Sequence, residues 1–137
     1  RQMCIRDSCC NTFFWSLCDV LKGIARDELP FAMTTYHTLA HSMLQKMLGW
    51  YIGGRTDYSV SCGKLNKYFK KYLPEQIYLQ YCATYPDSSY ANFWSAIDAS
   101  CALFHQTAQF VAEQSGYVYP QGDEDGFRRY AEIIQEV

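Results

Sequence analysis

Residues 47–74 read MLGWYIGGRTDYSVSCGKLNKYFKKYLP, and the reading of this stretch decides the fold. Its first residues complete an apolar pattern of helical period that comes down through Met33, Leu39, Met43, Leu44, Met47 and Leu48 to Tyr51. Gly53–Gly54 is expected to stop that helix, because glycine ends helices at little steric cost. A polar loop follows, and Lys64–Tyr72 reads as a short basic helix ended before Pro74. Only Tyr58–Ser61 passes for a strand, and it is too short to build a sheet.

The same period spreads outward in both directions. A first helix is expected from about Cys10 to Arg26, with Phe14, Leu17, Leu21 and Ile24 on one stripe. Asp27 suits the N-cap of the next helix, with Pro30 tolerated in its first turn. Beyond Pro74, Glu75–Tyr85 forms a helix, and Ser88 or Ser89 caps a long one over Tyr90–Gln114, closed by Gly116. Gly122–Asp125 then leads into an amphipathic helix over Phe127–Val137. The sum is an all-α fold, a single bundle of about six helices.

Composition sets the bounds. At 137 residues the chain has the length of one domain able to bury a core, and 49% hydrophobic with 17% aromatic content excludes disorder. A net charge of −2 gives no basic field for nucleic acid, and no apolar run approaches the roughly 20 residues of a membrane span, so neither partner is expected. The seven cysteines include no C-x-x-C pair, and Cys18, Cys82 and Cys101 fall at helix positions that read as buried. Free thiols in a reducing cytoplasm are therefore expected. Gln2–Ser8, QMCIRDS, back-translates to CAG ATG TGT ATA AGA GAC AG plus one base, the end of a common transposase sequencing adapter. Residues 1–8 are accordingly read as adapter-derived or disordered, and residues 9–137 as the helical domain.

Several residue groups carry candidate chemistry. Gly63 and Lys64, with Ser61 just before them, form a helix start that offers N–H groups and a positive dipole end to an anion, or simply a capped helix with a solvated basic face. Lys22 and Arg26, spaced i, i+4, project two cations from one face beside Glu28, which also reads as a first-turn acid favouring its helix dipole. His37 and His41 share a face, but no third ligand is evident, so no metal site is assigned. Asp123–Glu124–Asp125 is the only D-x-D in the chain and reads as an acidic first turn. Trp50, Tyr51 and Tyr58, with Asp57, sit at the mouth of the polar loop, while Trp15 and Trp94 read as core.

Two of these runs, Met47–Pro74 and Lys22–Ala32 (KGIARDELPFA), resemble the aminoglycoside 6-adenylyltransferases, enzymes that adenylylate streptomycin. The resemblance extends from about Cys9 to Tyr117–Pro120, nearly the whole chain. It implies the carboxy-terminal helical half of a nucleotidyltransferase, with the catalytic carboxylates in an amino-terminal half that is missing here. The complete enzyme would use ATP and Mg2+ to transfer AMP to a drug hydroxyl, and this fragment alone would bind neither. On the same resemblance, Lys22, Arg26, Ser61, Gly63 and Lys64 would meet the nucleotide phosphates. Trp50, Tyr51, Asp57 and Tyr58 would line the aminoglycoside pocket, and Glu28 would serve as base or drug contact. Some members carry a glutamate where this chain has Thr12, a second candidate for the base. The competing reading is a stand-alone, non-catalytic helical binding module.

Overall fold

A computed structural model of the chain describes residues 4–136. Among them there is helix and loop but no strand. The elements are α1 (Ile5–Ala25), α2 (Leu29–Thr35), a π-helical segment (Tyr36–Ala40), α3 (His41–Thr56), a 3-10 turn (Lys64–Asn66), α4 (Phe69–Tyr72), α5 (Glu75–Cys82), α6 (Tyr90–Ser115) and α7 (Gln121–Gln135). Since α2, the π segment and α3 run on without a break, the described residues make six helical bodies. The chain divides into two compact units, Arg1–Met43 with Tyr117–Val137, and Leu44–Gly116.

In the first unit α1 is the central element, packed on α2, the π segment and α7. It opens earlier than its apolar period predicts, at Ile5, with the Cys4 thiol accepting from the Asp7 N–H at 3.4 Å. Residues 1–3, part of the expected adapter-derived segment, lie outside the described residues. Phe14, Leu17 and Leu21 of the expected stripe are buried, with Phe13 and Val20 beside them, whereas Ile24 is only half-buried. Gly23 lets α2 come close: a Cβ there would lie 3.0 Å from both the Ala32 Cβ and the Phe31 ring. The turn between the helices differs from expectation. Asp27 takes a left-handed φ of 55° and Glu28 stands at the N-cap without a side-chain bond. The Glu28 N–H instead donates 2.8 Å to the Gly23 carbonyl, which closes the turn through the backbone.

The π segment explains another departure. One extra residue in a turn rotates the following side chains by about 100°. Tyr36 and Ala40 therefore point into the core, and Leu39, expected inside, is exposed.

In the second unit α3 does not end at the glycine pair. Gly53 and Gly54 lie within it, and it stops at Asp57 and Tyr58, both left-handed with φ of 53° and 57°. The glycines serve close approach instead. A Cβ on Gly53 would collide with the Tyr58 ring, and one on Gly54 with the Gln114 side chain, whose Nε2 donates 3.2 Å to the Gly54 carbonyl. The expected helix over Lys64–Tyr72 is broken, because Leu65 and Asn66 are left-handed (φ 55° and 61°) and leave a 3-10 turn followed by the short α4. Helix α6 behaves as its caps predict. The Ser89 Oγ accepts from the Asn92 N–H at 3.3 Å, and Gly116 ends it with φ 75°. Helix α5 packs on α6 over Ile77 and Tyr81, and Phe69 meets the Tyr81 ring edge-on at 5.4 Å.

Candidate functional site

The first unit carries two grooves that share one wall. Trp15 stands on α1 with 74% of its surface exposed, which overturns its assignment to the core. On one side of it is a groove of about 240 Å³ lined by Asn11, Thr12, Trp15, Ser16, Asp19 and Leu39. On the other is an apolar groove of about 260 Å³ between α1 and α7, lined by Phe14, Trp15, Cys18, Gly122, Asp123, Gly126 and Phe127. Burial pushes the Cys18 thiol up; Lys22 opposes that shift and Asp19 adds to it. The sequence does contain the missed signal. Trp15, Asp19, Lys22 and Arg26 recur at spacings of four, three and four, a polar helical face opposite the Leu17–Leu21 stripe.

Lys22, Arg26 and Glu28 are exposed, as a phosphate- or drug-facing set requires. Lys22 Nζ lies 3.7 Å from Asp19, with both side chains about half exposed, so the pair holds the lysine loosely. Arg26 is the C-cap residue of α1, and its N–H donates to the Ile24 and Lys22 carbonyls.

In the second unit, Asp57 and Tyr58 are exposed while Trp50 and Tyr51 are half-buried. The face of Tyr51 is already taken by its own neighbour, since the Arg55 guanidinium carbon lies 5.6 Å from the ring centroid. Its edge meets Phe110 at 5.0 Å. The helix expected to start at Lys64, behind Ser61 and Gly63, is a 3-10 turn instead. There is no extended helix to supply a dipole, and the Gly63 N–H is turned onto the Ser61 Oγ at 3.1 Å. What remains there is an exposed lysine on a loop.

The histidines diverge. His41 is buried and held down at about 4, chiefly by burial and secondarily by His37, whose own ring is exposed. No group of three His, Cys, Asp or Glu able to hold a metal occurs among the described residues. The D-x-D segment lies in the first turn of α7, which starts at Gln121 rather than Phe127. Glu124 is buried there and accepts from the Tyr119 hydroxyl at 2.7 Å and from Gln121 Nε2 at 2.9 Å. Asp125 accepts from the same Gln121 amide at 3.0 Å. Glu124 is thus spent on packing the helix start, while Asp123 and Asp125 stay exposed. All seven cysteines are free thiols; Cys101 is buried, Cys18 intermediate, and Cys82 exposed against expectation.

By its helices the chain is an all-α protein. It belongs to the streptomycin adenylyltransferase family, whose model matches residues 6–134. It is 34% identical over 128 residues to an aminoglycoside 6-adenylyltransferase of Bacillus subtilis (strain 168), covering 93% of this chain and 45% of that protein. A Campylobacter jejuni aminoglycoside 6-adenylyltransferase is 35% identical over 118 residues, 86% of this chain and 41% of that one. The crystal structure of an aminoglycoside 6-adenyltransferase from B. subtilis superimposes with a TM-score of 0.85 at 34% identity, over 95% of this chain and 49% of that chain. The chain thus spans less than half the length of the relatives it matches.

Proposed function

We propose that residues 9–137 form the drug-binding helical half of an aminoglycoside 6-adenylyltransferase. The complete protein would transfer AMP from ATP to a hydroxyl of a streptomycin-type aminoglycoside and so confer resistance. One observation carries the reading: the family match takes in nearly the whole chain while the chain takes in less than half of the relatives. ATP and Mg2+ belong, on this reading, to the other half, which is the chain's partner domain along with the aminoglycoside itself. The work is placed in the cytoplasm, and neither nucleic acid nor membrane is a partner. No described helix is long and apolar enough to cross a membrane.

Within this half, Lys22 and Arg26 are assigned to the phosphates and Glu28 to the drug or the attacking hydroxyl. Asp57, Tyr58 and the half-buried Trp50 are assigned to the aminoglycoside. Tyr51 contributes through Arg55 rather than through a bare ring face. Lys64 remains a cation for the nucleotide, with Ser61 and Gly63 shaping its loop. Thr12 lines the groove beside Trp15, Asp19 and Leu39, and a family glutamate at this position would act there.

The test is calorimetric titration of streptomycin into the chain, together with mass-spectrometric detection of adenylylated drug in the presence of ATP and Mg2+. Binding without transfer is expected. A second arm fuses the unmatched part of the B. subtilis relative to this chain. Transfer should then appear, and Thr12→Glu should raise it. A chain that ignores the drug and stays inert in the fusion is a stand-alone helical module, and the proposal fails.

A further inference from the structure

We propose that the groove between α1 and α7 is a guanidinium-binding site, in which the plane of the cation stacks on Trp15 and its N–H edge faces Asp123. The identity of the ligand rests on the aminoglycoside reading, whereas its chemical class rests on the groove alone.

Three features of the groove converge. Trp15 is 74% exposed and its indole makes no ring contact or hydrogen bond among the described residues, an expensive way to display a large apolar side chain unless something covers it. Asp123 is exposed at the rim, and its side chain likewise has no partner among the described residues. Between them the groove is apolar, with Phe14 and Phe127 as walls. Gly122 and Gly126 leave the α7 side open: a Cβ at Gly122 would meet nothing within 4 Å, and one at Gly126 only the tip of Arg129 at 3.8 Å.

This combination selects among cations. A guanidinium is planar, weakly hydrated on its faces and equipped with a row of donors along its edge, so it can lie on an indole and still reach a carboxylate. An ammonium is a compact, strongly hydrated charge, and an apolar groove with one acid cannot replace its water shell. A hydroxyl-rich sugar ring would find almost no partners here. At about 260 Å³ the groove is below the usual range for a whole drug-sized ligand and suits one substituent of it. Cys18 lies in the lining, which supplies a reporter at the site itself.

The experiment measures the alkylation rate of Cys18 by site-resolved mass spectrometry at alkaline pH, with the exposed Cys82 as internal reference. Probes are streptomycin, an aminoglycoside bearing only ammonium groups, and phenylguanidinium; calorimetry with each runs in parallel. Streptomycin and phenylguanidinium should slow Cys18 severalfold and leave Cys82 unchanged. Trp15→Ala and Asp123→Asn should each weaken that protection about tenfold, the size expected for losing one cation–π or charge-assisted contact. Both residues are exposed, so both variants should fold. If streptomycin binds by calorimetry while Cys18 stays reactive and both variants bind normally, the groove assignment is overturned and the aminoglycoside reading stands. If phenylguanidinium protects and streptomycin does not bind, the groove assignment stands and the aminoglycoside reading falls. Equal protection by the ammonium-only drug overturns the guanidinium selectivity, and protection by none of the three overturns the site.

Discussion

Removing the Glu124 carboxylate should cost the protein about 2–4 kcal/mol, and the structure says where that figure comes from. Glu124 is 4% exposed in the first turn of α7 and accepts 2.7 Å from Tyr119, itself only 8% exposed. A hydrogen bond to a charged group contributes about 1.5–3 kcal/mol, and Glu124→Ala leaves the Tyr119 hydroxyl to find a new partner out of reach of bulk water. The Gln121 amide, 2.9 Å away, sits on an exposed residue and recovers solvent, so its loss adds little. Arg128 lies 3.6 Å away and is half exposed, which adds under about 1 kcal/mol. Urea denaturation followed by circular dichroism measures the total. Tyr119→Phe alone should cost about 1–2 kcal/mol, and the double variant should cost clearly less than the sum because the two side chains act on each other. A loss below about 0.5 kcal/mol for Glu124→Ala, or strict additivity with Tyr119→Phe, would refute the claim that this carboxylate anchors the start of α7.

His41 has a folded value of about 4 against 6.5 for the free side chain, so between those values the unfolded state takes up the proton; stability contributed by neutral His41 is full above about pH 6.5 and lost as pH falls to about 4, a difference of about 3 kcal/mol. Urea curves at several pH values should show this acid slope, and His41→Gln should flatten it. Gly116→Ala should lower stability by about 1 kcal/mol in thermal or urea melts, since φ of 75° penalises any Cβ although the surrounding space is open. Gly23→Val should cost more, about 1–3 kcal/mol by overpacking, because its first carbon already meets Ala32 and Phe31 at 3.0 Å.

The helices themselves were legible because they rest on local signals. The Phe14–Leu17–Leu21 stripe, the Ser89 cap and the Gly116 terminator are short-range patterns, and each acts as its residue type predicts. The site was less legible. A large aromatic such as Trp15 reads as core by residue type, although its spacing to Asp19, Lys22 and Arg26 puts it on the polar face. The break after Gly63 was not legible, because nothing local announces that Leu65 and Asn66 will turn left-handed.

The sequence by itself thus determined the fold class, most helix bodies and, through the Lys22–Ala32 and Met47–Pro74 runs, the family. Tertiary structure decided what those helices do where they meet. Gly53 and Gly54 stay inside α3 because the Tyr58 ring and the Gln114 side chain occupy the space their missing side chains leave. Leu39 faces outward because a π segment shifts the register by one residue. Glu124 is a packing residue because a tyrosine five positions earlier folds back onto it. A period of 3.6 fixes which face of a helix is apolar, but the cost of burying a given atom depends on neighbours brought from elsewhere in the chain, and only the assembled structure supplies them.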